Sequence, residues 1–169
     1  MNKILFVCTG NAARSVMAVT MMRDLDPEIE IRGAGTFSIP GLPMSQRTRE
    51  ALSKFGLSDP HHRSHQLEKE DCEWADLIVV FEPEHIQYIR RNHPEASPIT
   101  GTLPRLAKYL KAGNTVLASR VAALQLSEVE INPWEEVEDP AGGDQDIFNE
   151  SAREIYGYVS TLAENLNGL

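Results

Sequence analysis

The tightest constraint in this sequence is a change of pattern near its start. "KILFVC" is a short apolar run rich in β-branched and aromatic side chains, and it gives way to Gly10 and Asn11 just after Cys8. Beyond them Ala18, Met21, Met22 and Leu25 recur at helical spacing. Residues 3–9 therefore predict a buried strand, residues 15–25 a helix, and "CTGNAAR" the turn between them. Gly10 permits backbone angles closed to other residues, and Asn11 tolerates them better than most. A buried strand running straight into an amphipathic helix is the opening of a parallel-sheet unit, which commits the chain to an α/β fold.

The alternation continues. Residues 30–34 predict a second strand, and Met44, Thr48, Ala51, Leu52 and Phe55 a helix ending near Gly56. "LIVVF" at 77–81 is the clearest internal strand, followed by a helix over 83–92 with Pro83 in its first turn. A weaker strand is expected at 96–100 and another helix at "LPRLAKYL". Phe148, Ala152, Ile155, Val159, Leu162 and Leu166 step by four and three and predict a long last helix. No repeat or linker divides the chain. Residues 1–169 thus predict one domain: a central, mostly parallel four-stranded sheet with helices on both faces. Its ligand site belongs at the carboxyl ends of the strands. One compositional break, residues 128–146, is acidic and reads as a long ordered loop or lid, the extended segment as a whole spanning about 113–146.

The formal charge of −9 argues against general attraction to nucleic acid or an anionic membrane. A local site can still oppose the global sign and take an anion. No apolar run is long enough to span a bilayer, and the apolar start is too short for a signal peptide, so a cytoplasmic protein is expected. Two cysteines, Cys8 and Cys72, make no disulfide framework. His61, His62 and His65 lack a convincing further ligand for a metal site, and no cofactor is expected. His62 and His65 read as loop ties, and Cys72 as a buried helix residue.

Cys8 sits at a strand end, and Arg14 closes the turn just before the following helix. Amides of the turn (Thr9, Gly10, Asn11, Ala12, Ala13) can point inward and bind an oxyanion, reinforced by the helix dipole. Arg14 can offer paired donors to two oxygens of a tetrahedral anion, and the same field favours a thiolate. Ser15 can donate a hydrogen bond to that sulfur, and Asn11 can fix the turn. The chemistry this supports is attack of Cys8 on phosphorus, giving a phosphocysteine that water then breaks. The leaving group needs an acid, and Asp139 in "VEDPAGGD" is the best position. Crowding by Glu135, Glu136, Glu138, Asp144 and Asp146 would favour its acid form. Phe37 reads equally as core or as a pocket wall.

"VCTGNAARS" resembles the signature of low-molecular-weight protein-tyrosine phosphatases, and "EDPAGGD" is similar to that family's Asp-Pro loop. "RGAGTFSIPGLPMSQRTREAL", "HRSHQL" and "WADLIVVFEPEH" resemble its middle segments in order and spacing. The resemblance implies a cytosolic phosphomonoester hydrolase without cofactor. Cys8 would be the nucleophile, Arg14 the phosphate clamp, Asp139 the general acid, and Asn11 and Ser15 supports. Its substrate would be a phosphorylated protein, foremost a phosphotyrosine one, or a small phosphomonoester. The departures are specific. Ala13 stands where many members carry a second loop cysteine, Val16 where many have proline, and residues 113–134 run longer than the family usually has, which leaves room for an added helix over the site. Ala141, Gly142 and Gly143 follow Asp-Pro where tyrosine-directed members often have aromatics, so Trp134 or Phe37 would have to supply the wall. The Gly-Gly is similar to the protein-arginine phosphatase branch, which has threonine at the place of Ala12. The remaining alternatives are an arsenate reductase, for which Cys72 is the only further thiol, a phosphate-dependent binding module, and an accidental motif on a Rossmann-like domain.

Overall fold

The computed structural model describes residues 1–167; residues 168 and 169, the end of the expected domain, lie outside the described part. Four strands, β1 (Lys3–Cys8), β2 (Glu30–Gly35), β3 (Leu77–Val80) and β4 (Thr100–Thr102), form one sheet in the order β2-β1-β3-β4. Every pairing is parallel, with Phe6 opposite Gly33 on one side and Val79 on the other. The predicted sheet is thus present and wholly parallel.

Alternation along the central strands builds two cores. Ile4, Phe6, Cys8, Leu77 and Val79 face helices α1 (Arg14–Leu25), α2 (Gln46–Ser53), α5 (Leu103–Tyr109) and α7 (Gln145–Leu166). Leu5, Val7, Ile78 and Val80 face α3 (Lys69–Trp74) and α4 (Pro83–Asn92). Residues i and i+2 share a face in a strand, so a run apolar at every position fits a strand covered on both sides. The stripe predicted for the last helix is the one buried: Phe148, Ala152, Ile155, Val159, Leu162 and Leu166.

Two expectations need correction. The strand expected at 96–100 is present only from its last residue. Pro94–Ile99 winds as a 3-10 helix, and the strand starts at Thr100. Pro98 has no N–H to give a ladder, which moves the strand past it. The added helix exists as α6 (Leu117–Ala122), but it does not lie over the phosphate loop. Leu117 and Val121 join the core and share a hollow with Asn2, Ala75 and Asp76, at the end of the sheet where the strands begin. The following acidic stretch is pinned down: Glu135 is wholly buried and the Val137 N–H donates to the Phe81 carbonyl.

β1 sends its crossover through α1 to β2 on one side, while β3 lies on its other side. The chain therefore reverses direction across the sheet between β1 and β3, and the crevice at their carboxyl ends is where such folds bind ligands. The turn after β1 and residues 81–85 after β3 both open into it.

Candidate active site

The turn 9–13 is braced by three separate segments. Asn11 adopts φ 52° and is buried. Its carbonyl accepts from Ser64 Oγ (2.9 Å) and lies 2.9 Å from His62 Nε2, and its Oδ1 accepts from the His65 N–H at 3.0 Å. Thr48 Oγ1, beside the Ser45 cap of α2, donates to the Ala12 carbonyl at 3.1 Å. The end of β2 presses in from below. A Cβ at Gly35 would come within 2.5 Å of the Thr9 carbonyl, so no side chain fits there. His62 and His65 are thus the loop ties the sequence suggested, and His65 is itself held by Asp71 at 2.8 Å.

This bracing turns the amides of the turn away from the rest of the chain. Among the described residues no acceptor is found for the N–H of Gly10, Asn11, Ala12 or Ala13. Consecutive amides without protein acceptors at a helix start form a cradle for an anion. Cys8 lies at its base, 3% exposed, with Sγ 3.0 Å from Ser15 Oγ. The direction of that bond follows from its neighbour. Asn11 Nδ2 donates to Ser15 Oγ at 2.7 Å, so the serine hydrogen is left for the sulfur. A donor held against sulfur suits a negatively charged thiolate.

Arg14 closes the cradle with a side chain that is 1% exposed. Nη1 donates to Glu82, at the cap of α4, and to the Val137 carbonyl at 2.8 Å. Nη2 donates to Thr9 Oγ1 at 3.3 Å and stands 3.5 Å from Asp139 Oδ2. No partner for Nε is found among the described residues. The guanidinium is therefore held most closely through Nη1, with longer contacts at Nη2, and its Nε–Nη2 edge remains able to hold two oxygens of a tetrahedral anion.

Asp139 joins the site at this edge, half exposed, its Oδ1 accepting from the Ala141 N–H at 3.0 Å. The crowding expected around it is only partly present. Glu135 is directed elsewhere, onto Arg105 and Thr102, and Asp139 Oδ2 pairs with the Arg14 guanidinium. Glu138, Asp139, Pro140 and Ala141 form one wall of a cleft of about 630 Å³. Its other wall is the first part of α7, with Glu150, Arg153 and Glu154. Burial, then Glu138 and Glu150, push the Glu154 carboxyl up from its ordinary value.

The two aromatic candidates separate. Phe37 is 83% exposed, so it is not core. It sits at the rim of the cradle, its N–H donating to the Thr9 carbonyl while Ser38 Oγ donates to the Gly10 carbonyl. Trp134 belongs to another place. It packs on Tyr109, Arg105 and Lys108, in a hollow to which none of the cradle residues contributes. Cys72 is buried in α3 on the opposite face of the sheet from Cys8, and burial, then Asp71, raise its thiol to about 11. A protonated thiol behind the sheet is poorly suited to a relay with Cys8.

Glu82, His85 and Val137 were not singled out from sequence. Glu82 and His85 had a usable signal: like Thr9, they come just after an apolar strand of the one parallel sheet. Val137 acts through its carbonyl, which no side-chain pattern marks.

Comparison with known proteins gives the family and the fold. Residues 3–168 match the family model for low molecular weight phosphotyrosine protein phosphatase. A protein-arginine-phosphatase of Geobacillus stearothermophilus is 28% identical over 165 residues, covering 97% of this chain and 95% of the relative. PtpB of Staphylococcus epidermidis, a low molecular weight protein-tyrosine-phosphatase, is 26% identical over 160 residues, covering 95% and 96%. The solved structure of YwlE arginine phosphatase from Geobacillus stearothermophilus superposes with a TM-score of 0.80 over 98% of this chain and 93% of that one, at 28% identity. With its parallel sheet, braced anion cradle and buried arginine, the chain belongs to the low molecular weight phosphotyrosine protein phosphatase family, whose members are cysteine-dependent phosphatases.

Proposed function

We propose that the protein hydrolyses phosphotyrosine on protein substrates through a phosphocysteine on Cys8. The observation that carries the reading is the cradle itself. Four consecutive amides for which no acceptor is found among the described residues follow Cys8, whose sulfur accepts from Ser15, and Arg14 at the end of the same turn keeps an Nε–Nη2 edge that no carboxylate fills as a pair. The sulfur attacks phosphorus as the ester P–O bond breaks, and the equatorial oxygens rest on the amides and Arg14. Asp139, beside Arg14 Nη2, gives its proton to the departing phenolic oxygen. It then takes a proton from the water that attacks the phosphocysteine, and inorganic phosphate leaves with Cys8 restored.

Two features support an aryl ester. Phe37 stands at the rim of the cradle and offers a flat face to a phenyl ring. Ala12 brings no hydroxyl to the loop. A second reading, phosphoarginine, is favoured by one observation. The cleft behind Asp139 carries Glu138, Glu150 and Glu154 against one arginine, a lining suited to a cationic side chain. Kinetics on matched peptides bearing phosphotyrosine or phosphoarginine, with a sugar phosphate as third substrate, test the choice. The expected result is the highest kcat/KM on phosphotyrosine. Preference for phosphoarginine would transfer the assignment to the second reading, and preference for the sugar phosphate would remove both.

A further inference from the structure

His85 has no part in the chemistry above, yet it is 2% exposed and lies at the floor of the site. It stands in the first turn of α4, its N–H donating to the Glu82 carbonyl. Its ring nitrogens have different partners. The Phe81 N–H donates to Nδ1 at 3.2 Å, so Nδ1 carries no hydrogen and Nε2 does. Nε2 lies 2.9 Å from Thr9 Oγ1 and therefore donates to it. Thr9 Oγ1 also accepts from Arg14 Nη2.

A threonine hydroxyl has one hydrogen and two acceptor positions. With both acceptor positions taken by His85 and Arg14, its hydrogen is turned away from the guanidinium. Without His85 the hydroxyl is free to rotate and aim that hydrogen at Nη2, exchanging attraction for repulsion. A charged ring would be as harmful, since it would set like charge beside Arg14. Burial, and then Arg14 itself, push the ring down to about 3, so it is neutral near pH 7. The Nη1 side of Arg14 is held by Glu82 and a backbone carbonyl. The Nη2 side has only the longer contacts to Thr9 and Asp139. Asp139 has its own task there, which leaves Thr9 to aim that side.

We propose that His85 is a positioning residue for the phosphate clamp: its Nε2–H fixes Thr9 as an acceptor and so keeps the Nη2 side of Arg14 turned toward the oxyanion above Cys8. The proposal rests on the reading of Arg14 as the clamp.

Two substitutions at one position separate this role from simple packing. In His85→Gln the amide nitrogen can take the place of Nε2 and keep the donor to Thr9, while the acceptor for Phe81 is lost. In His85→Asn the amide oxygen can take the place of Nδ1 and keep the acceptor, while the donor to Thr9 is lost. Both lose the ring. The probe is inorganic vanadate, with its dissociation constant measured by calorimetry, alongside kcat on an aryl phosphate and the melting temperature. The Asn variant should bind vanadate roughly tenfold more weakly and lose kcat in proportion, while the Gln variant stays within about threefold of the parent. Thr9→Val should match the Asn loss, and adding His85→Asn to it should cost nothing more. Equal losses for Gln and Asn, losses that follow only the melting temperature, or parental binding by Thr9→Val would overturn the proposal. A parent protein that bound no vanadate would overturn it too. A parent that bound vanadate yet hydrolysed no phosphomonoester would defeat the proposed function alone, and the ranking of the vanadate constants would still decide the role of His85.

Discussion

Two buried arginine–carboxylate pairs in this molecule use the same groups to opposite ends. Arg105 lays its Nε and Nη2 on the two oxygens of Glu135, at 2.8 and 3.2 Å. Glu135 also accepts from Thr102 Oγ1 and the Asn132 N–H, so both its oxygens are saturated. Arg14 meets Glu82 through Nη1 instead, and no carboxylate fills its Nε–Nη2 edge as a pair: Nη2 has the longer contacts to Thr9 at 3.3 Å and Asp139 at 3.5 Å, and no partner for Nε is found among the described residues. A guanidinium whose paired edge is filled by protein is a clasp. One whose paired edge is held open, at the cost of burying it, is a receptor for a ligand's oxygens. The difference lies in which nitrogen meets the carboxylate, and it separates the anchor of the acidic segment from the site beside it.

The largest effect should come from the open edge. Arg14→Ala is expected to lower kcat on an aryl phosphate by roughly 10³-fold with little loss of melting temperature beyond that of Glu82→Gln. A loss under tenfold would place Arg14 among the clasps. At the closed pair the signs exchange. Glu135→Gln should destabilise the fold by about 3 kcal/mol in denaturant titration, because Arg105 then keeps a buried charge without its partner. A neutral result would mean that the segment is anchored by Val137 alone.

Acid should release the clasp only below the ordinary carboxylate range. Burial raises the Glu135 carboxyl, but the bonds from Arg105, Asn132 and Thr102 outweigh it and hold the group below its ordinary value. Its stabilising contribution is therefore complete above the unfolded carboxylate range and lost as pH falls through the lower folded value. His85 adds to the same trend. Its ring is pushed from 6.5 to about 3, so the unfolded chain binds the extra proton between those values and stability falls with pH across that window. His85→Gln should flatten the upper part of the curve, as seen in denaturation midpoints; an unchanged slope between pH 6 and 4, roughly the interval between the two ranges, would count against a neutral buried ring.

Smaller and more selective is Asp139→Asn. It should slow esters with poor leaving groups by about 10²-fold and those with good ones far less. Equal slowing would deny it the role of acid. Smallest of all is Trp134→Ala. Because Trp134 caps the closed pair and not the cradle, KM for aryl phosphates should not change. A clear rise would return it to the substrate pocket.

The sheet was legible because β1 from Ile4 onward and β3 throughout are apolar, and the last helix carries an unbroken stripe. The β4 boundary was not, because Pro98 and the small residues around it carry no period. Cys8, Asn11, Arg14 and Ser15 could be assembled from one turn, since local chain geometry brings them together. Glu82, His85 and Val137 reach the site only through sheet order, which spacing along the chain does not encode. Trp134 misled for the converse reason. It is near Asp139 in sequence, but Glu135 and Val137 tie the chain down between them, and the indole falls on α5.

The claim beneath this account is that Cys8 sulfur forms the bond to phosphorus. Comparing Cys8→Ser with the parent for turnover of an aryl phosphate and for vanadate binding tests it most directly. The account predicts that turnover vanishes while the variant still binds the anion. Turnover retained at the parental rate would contradict it.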